Sequence, residues 1–289
     1  MQQSDPPSQP YPIVAIDGPA GAGKSTVARA LARRLGFFLL DTGAIYRSLA
    51  LHAQQRGIAF SDGPTLGQLA GSLPIRFGRG PGPEEGKVFL GSVDVTLTIR
   101  SPEISQAASF VSAHPEVRAA LLGLQRQLAQ SGPCVAEGRD VGTVVLPHAP
   151  IKLFMTASTE VRAQRRFVEQ KGRSQAEGSP DYASTLAAIS ERDHRDSTRA
   201  TAPTRQADDA LLFDTSHLSL DEVIDQVESL CRSKLQLPSA QAPYAGSEDG
   251  SSAAARRVGA ASVATPVPTT EETVSSASWN ADSPIKSDT

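Results

Sequence analysis

Short runs of apolar and β-branched residues alternate along this chain with longer segments whose apolar positions recur every three or four residues. Ile13 to Asp17, Phe37 to Asp41, Cys134 to Glu137, Ile151 to Met155 and Leu211 to Thr215 read as strands. Most of these runs are apolar throughout, which suits a parallel sheet covered on both faces. Between them, Val27, Leu31 and Leu35 share one helical face that Gly36 can close, and Val117, Leu121, Leu124 and Leu128 form another stripe. The last helix is the most fully specified. Ser219 and Glu222 have capping-box spacing, Leu218 and Val223 are placed as a hydrophobic staple, and Val223, Val227 and Leu230 supply the buried face. From Pro74 to Arg100 the rhythm breaks: Ile75 to Phe77 is followed by Lys87 to Leu90 and Val93 to Thr96 around a Gly91-Ser92 turn. That is the signal of a small antiparallel unit inserted in an α/β body.

The ends read differently. Beyond about Leu237 the chain is Ser, Ala, Thr, Pro and Gly with scattered charges, too poor in apolar residues to offset the entropy of ordering, so disorder is predicted over 238–289. Residues 1–10 are polar and proline-rich and are read the same way, which leaves 11–237 as the folded body. Composition adds little direction: of 289 residues 39% are hydrophobic and 20% charged, with a net charge of −3. An overall field of that size gives no reason to expect nucleic acid or an acidic membrane as a partner, so any anion site must be local. The two cysteines, Cys134 and Cys231, are far apart and each lies in an apolar stretch, which points to reduced core thiols. No window reaches the length of a membrane span and no export signal is evident, so a cytoplasmic location is expected.

Candidate chemistry begins at Gly18, Pro19, Ala20, Gly21, Ala22, Gly23, Lys24, Ser25 and Thr26, directly after the first strand and leading into a helix. This fits G-x-x-x-x-G-K-[ST]. Glycines let backbone amides converge on a phosphate, the helix amino end adds its dipole, Lys24 reaches the β and γ oxygens, and the Ser25 hydroxyl can ligate Mg²⁺. The loop predicts a bound nucleoside triphosphate. It does not choose among GTPases, ATPase motors and small-molecule kinases, which share it.

Three further groups of residues suggest an acceptor that is itself a phosphate. A helical reading of Leu186 to Arg199 puts Arg192, Arg195, Asp196 and Arg199 on one face. Arg139 and Asp140 follow directly on the strand Cys134 to Glu137, where ligands of open α/β sheets lie. Thr42 and Arg47 follow the second strand, Thr42 near a helix cap and Arg47 one turn further on. No histidine stands beside these motifs as a base, and a phosphate monoester needs none, because it is already ionised near neutral pH. It needs charge neutralisation, which Arg forks and Mg²⁺ provide. The five histidines show no metal-ligand spacing and are read as structural.

"IVAIDGPAGAGKST", "LLDTGAIYR", "QAASFVSAHPEVR", "EGRDVGTVV", "ERDHRDSTR" and "ALLFDTS", in this order, closely resemble the bacterial cytidylate kinases over about Pro12 to Leu235. The resemblance implies a P-loop kinase with a five-stranded parallel sheet flanked by helices. It also implies an NMP-binding region over about 42–130 carrying the small antiparallel sheet (74–100), and a short lid over 162–181 with Gly172 and Gly178 as points of bending. The implied activity is MgATP-dependent phosphorylation of CMP and dCMP by a monomer. By resemblance, Lys24, Arg139 and Arg199 carry the transfer, and Arg165, with Arg166, reaches the ATP side. Arg47 and Arg139 hold the acceptor phosphate with Arg192 or Arg199; Ser109, Arg118 and Asp140 read the cytosine; Asp196 and Arg192 meet the sugar hydroxyls. Cytosine presents an N4 donor beside N3 and O2 acceptors, so a carboxylate with Arg and Ser donors separates it from uracil.

Three positions depart from the common pattern. Thr42 adds a methyl where many relatives have Ser, His194 replaces a common acidic residue, and Ser25 fits the general loop better than the Gly of some relatives. Glu137 is a candidate for a water-mediated Mg²⁺ contact. The segment after Leu237 has no counterpart in the family pattern. Truncation after Leu237 is therefore expected to leave kcat and KM unchanged, as a steady-state assay on the shortened chain would show.

Overall fold

In the computed structural model, residues 11–79, 82–173 and 181–238 are described, and the expectations for 1–10 and for 239–289 lie outside them. The five predicted strands form one parallel sheet. Its members are β1 (Ile13–Asp17), β2 (Phe38–Asp41), β6 (Cys134–Glu137), β7 (Ile151–Thr156) and β8 (Leu211–Asp214), in the spatial order β2-β6-β1-β7-β8. The strand bounds differ from the sequence expectations by one residue at β2, β7 and β8. β1 lies at the centre with all five residues buried, and its register puts Ile16 opposite Glu137 and Asp17 opposite Phe154. The carboxyl end of β1 therefore faces the ends of both neighbours, where the polar residues begin.

Helices cover both faces, as continuous apolar strands require. On one side α1 (Lys24–Leu35) and α8 (Leu220–Leu235) pack over Val14, Ile16, Val135 and Leu153, burying Val27, Leu31, Val227 and Cys231. α1 stops where expected, because Gly36 takes the left-handed conformation and its amide returns to Ala32 and Arg33. α8 starts where expected, on the Ser219–Glu222 capping box. On the other side lie α2 (Thr42–Gln55), α3 (Gly63–Gly71), α4 (Pro102–Val111) and α5 (Pro115–Ala129), sharing a core of Ile45, Leu49, Leu66, Ile99, Val117 and Leu121. α2 packs against α4 and α3 against α5.

The expected insertion is a three-stranded antiparallel sheet, β3 (Ile75–Phe77), β4 (Val88–Leu90) and β5 (Val93–Asp94), with β4 in the middle. Phe38 stacks edge-on against Phe77 and ties it to the main sheet. The remaining helices, α6 (Thr159–Arg173) and α7 (Tyr182–Thr198), pack along each other. Gly178 of the expected lid lies outside the described residues. Cys134 and Cys231 are buried free thiols that burial pushes up to about 12. Among the described residues no helix is long and apolar enough to cross a membrane.

The position directly after β1 admits no side chain. Gly18, at φ 141°, lies so close to β7 that a Cβ would sit 1.9 Å from the Met155 carbonyl oxygen. Gly18→Ala must push the loop off β7, and a loss of about 2–4 kcal/mol is expected from urea unfolding.

Candidate active site

The loop after β1 turns on Gly21 and Gly23, both in the left-handed region, and Gly23 occupies the N-cap of α1 with no side-chain cap. The amino end of α1 thus carries its dipole and amides toward the loop, an arrangement suited to an anion. Lys24 is buried and its Nζ donates to the Pro19 carbonyl at 2.7 Å. Burial, and then Arg139, push the ammonium below its usual range, while Glu137 and Asp17 pull it upward. A triphosphate beside Lys24 would restore the full charge.

Ser25 Oγ donates to Glu137 Oε2 at 2.9 Å. Burial, with Asp41 next, raises the Glu137 carboxyl, against the pull of Lys24. A hydroxyl and a carboxylate in contact, both hard oxygen donors, suit Mg²⁺. Thr42 Oγ1 donates to the Glu137 carbonyl at 2.7 Å, which joins the head of α2 to the same strand end. The cap of α2 is Asp41, one residue before Thr42: its Oδ1 accepts the Ala44 amide at 2.8 Å and its Oδ2 the Arg47 Nη2 at 2.7 Å.

Beyond β6 the guanidinium groups gather around two carboxylates. Arg139 Nε donates to Asp196 Oδ2 at 2.9 Å and its Nη1 to the Gly18 carbonyl at 3.0 Å, so one side chain spans from the loop to α7. Arg192 Nε stands 3.8 Å from the same Asp196 oxygen. Burial favours the neutral Asp196 acid, but Arg139 and Arg192 outweigh it and hold the carboxyl below the usual range. Asp140 receives Arg118 on Oδ2 and Arg199 on Oδ1, the latter at 3.3 Å. Arg118 also lies over the Tyr46 ring. These contacts form two clusters, Arg139–Asp196–Arg192, tied to Gly18, and Arg118–Asp140–Arg199, set side by side because Arg139 and Asp140 are consecutive residues.

Within this region the buried Ser109 Oγ and the Nε atoms of Arg47, Arg118 and Arg192 have no hydrogen-bond partner. Each buried polar atom left so costs about 1–3 kcal/mol, which a polar ligand would offset. A cavity of about 260 Å³ adjoins Pro19, bordered by Phe154, Thr156, Asp193, Asp196 and Thr204.

The single arginine face expected on α7 is corrected. The helix ends at Thr198, and Arg199 at its C-cap is extended, with ψ 142°. That turn, fixed by Arg199 Nε on the Ala202 carbonyl at 2.7 Å, carries Arg199 to Asp140. Arg195 takes no part: it pairs with Glu191 at 2.7 Å and stacks on Phe110. On the other flank, Arg165 donates to Thr215 Oγ1 at 2.9 Å and to its carbonyl at 2.7 Å, and Thr215 reaches the Ala22 carbonyl at 3.5 Å. Arg166 is turned to Glu169.

Several participants were missed by sequence reading. Asp17 accepts the amides of Val141 and Gly142 at 2.7 and 2.6 Å, locking the loop after β6 onto the end of β1. A charged residue closing a buried strand at the sheet's carboxyl edge was a visible signal. Arg162 and Asp193, which touch Ala20, and Tyr46 had no comparable signal.

A glycine loop of this form on the central strand of a parallel sheet, with arginines converging at the strand ends, defines the P-loop phosphotransferases. The Cytidylate kinase family model matches residues 14–233 of this chain. Cytidylate kinase of Exiguobacterium sp. (strain ATCC BAA-1283 / AT1b) is 49% identical over 75% of this chain and 95% of its own length. Those of Limosilactobacillus fermentum and Geobacter sulfurreducens are 48% and 47% identical, over 74% and 77% of this chain and 92% and 93% of their own lengths. The chain belongs to the cytidylate kinase family.

The Asp17 carboxyl is raised from 3.8 to about 6, burial outweighing the two donated amides. Because the folded value exceeds the unfolded one, the folded state takes up the proton first. Ionisation of Asp17 thus costs the folded state on the order of 3 kcal/mol at neutral pH relative to the protonated carboxyl, and this cost fades as pH falls from 6 toward 4. The stability of the parent relative to Asp17→Asn is expected to rise over that interval in urea unfolding series at several pH values.

Proposed function

We propose that this protein transfers the γ-phosphoryl group of ATP to the 5′-phosphate of CMP and dCMP, giving CDP and dCDP, as a cytoplasmic monomer that uses Mg²⁺. The observation that carries this reading is the double engagement of Arg139 with the Gly18 carbonyl and with Asp196. One guanidinium stands at the boundary between a triphosphate loop and a second cationic cluster, where two anions would have to meet.

The residues divide the work. The loop amides and Lys24 hold the donor phosphates, with Arg165 on the same flank. Arg139 and Arg199 exchange their carboxylate partners for phosphate oxygens, with Arg47 and Arg192 beside them, so that charge repulsion does not prevent in-line approach. Asp140, Arg118 and Ser109 form a donor and acceptor set matched to the cytosine edge, and Asp196 with Arg192 faces the sugar. No side chain has to remove a proton from the acceptor, since a phosphate monoester offers an ionised oxygen. Ser25 and Glu137 would hold Mg²⁺, which would supply neutralisation of the negative charge on the donor phosphates. Residues 42–130 would form the acceptor-binding region and 162–181 the lid that excludes water.

The test is turnover across nucleoside monophosphates together with arginine replacement. CMP and dCMP are expected to be preferred; equal turnover of AMP, UMP and CMP would overturn the cytosine assignment. Arg139→Met and Arg199→Met are each expected to lower kcat/KM by roughly a hundredfold or more, the scale for losing a charged partner of the transferring group.

A further inference from the structure

The helix pair α6–α7 grips the phosphate loop at Ala20. The carbonyl of Ala20 accepts Arg162 Nη1 at 3.1 Å, and its amide donates to Asp193 Oδ1 at 3.3 Å. Arg162 and Asp193 are themselves an ion pair, through the same Nη1 and Asp193 Oδ2. Both peptide units that meet at Ala20 are thus fixed by one salt bridge, with one partner from each helix. Arg162 is buried and its other donors are committed, Nε to the Ala157 carbonyl and Nη2 to Thr159 Oγ1, each at 2.9 Å.

A second observation is independent of these bonds. At Gly21, the next residue, φ is 77°, and a Cβ there would lie 3.0 Å from Arg162 Cβ and 3.1 Å from the Arg162 carbonyl oxygen. The first turn of α6 therefore rests directly on the loop backbone. The two helices are also joined to each other, Phe167 meeting Tyr182 edge to face at 6.2 Å.

We propose that Arg162 and Asp193 are positioning residues for the donor nucleotide. Their ion pair sets the peptide planes at Ala20 and Gly21, and so aims the loop amides that follow, from the disposition of α6 and α7. The amide of Ala20, engaged by Asp193, is a fixed point of the loop and not one of its phosphate donors. Amides aimed in advance need less ordering when phosphate arrives, and the gain appears as donor affinity. The proposal rests on reading the loop as the donor-phosphate site, and it makes no use of the acceptor's identity.

The probe is MgATP alone, titrated calorimetrically without acceptor into the full chain, with KM for ATP and for CMP and the melting temperature recorded alongside. Asp193→Asn keeps the shape but removes the charge, and is expected to weaken ATP binding about tenfold, the scale of one charge-assisted hydrogen bond. KM for CMP should move by less than about twofold, because the loss falls on one substrate. Arg162→Gln should give a similar loss, and the double variant should bind no more weakly than the worse single one, as for two groups acting as a unit. Unchanged ATP affinity in Asp193→Asn, equal rises in both KM values, or additive losses in the double variant would each overturn the proposal. If Arg162→Gln does not fold, Asp193→Asn decides alone. Since ATP binding is read without acceptor, failure of the cytosine assignment would not register in this measurement.

Discussion

The end of β1 is fastened twice to the loop that follows β6, and the geometry of the site depends on those two ties. The Asp17 side chain accepts the amides of Val141 and Gly142, and the Arg139 side chain donates to the Gly18 carbonyl. The first tie runs from the strand to the loop and the second from the loop to the strand, so neither segment can slide without breaking one of them. The start of the phosphate loop and the segment that carries Arg139 are in consequence held in one fixed relation. A transfer between two phosphates tolerates little error in their separation, and rigid backbone ties set that separation better than long side chains alone could.

Gathering guanidinium groups in one place is unfavourable unless something negative lies among them. Asp140 and Asp196 serve that purpose, each facing two arginines. Buried pairs of this kind add little net stability, because desolvation offsets their attraction. The fold is instead held by the two apolar cores on either face of the sheet, centred on Leu31 and Ile16 on one side and on Leu49 and Leu121 on the other. Stability and function therefore draw on separate parts of the molecule.

Much of this was legible in the sequence, for local reasons. Continuous apolar runs gave the parallel strands, Gly36 and the Ser219–Glu222 pair marked helix ends, and the Gly91-Ser92 turn marked the hairpin. Each of these signals is contained within a few residues. The network around Asp140 was only partly legible. Arg139 and Asp140 could be placed at a strand end, but that Arg118 and Arg199 come from 22 and 59 residues away to share one carboxylate is a matter of tertiary packing. The helical reading of Arg192 to Arg199 failed at its last member for a definite reason. Arg199 leaves the helix and bonds the Ala202 carbonyl, a turn that periodicity does not encode. Arg162 entered the sequence reading only as the edge of the expected lid, and only the approach of α6 to the loop gave it a different meaning.

The packing of α8 on α1 has a practical corollary. Arg34, near the carboxyl end of α1, pairs with Asp225 and Glu228, and Arg232 holds both the Arg34 carbonyl and that of Pro238. Pro238 thus lies beside the end of α1 remote from Lys24, a helix of 12 residues and so roughly 18 Å away. A tether, fluorophore or solid support joined at Pro238 would stand at the opposite end of α1 from the phosphate loop.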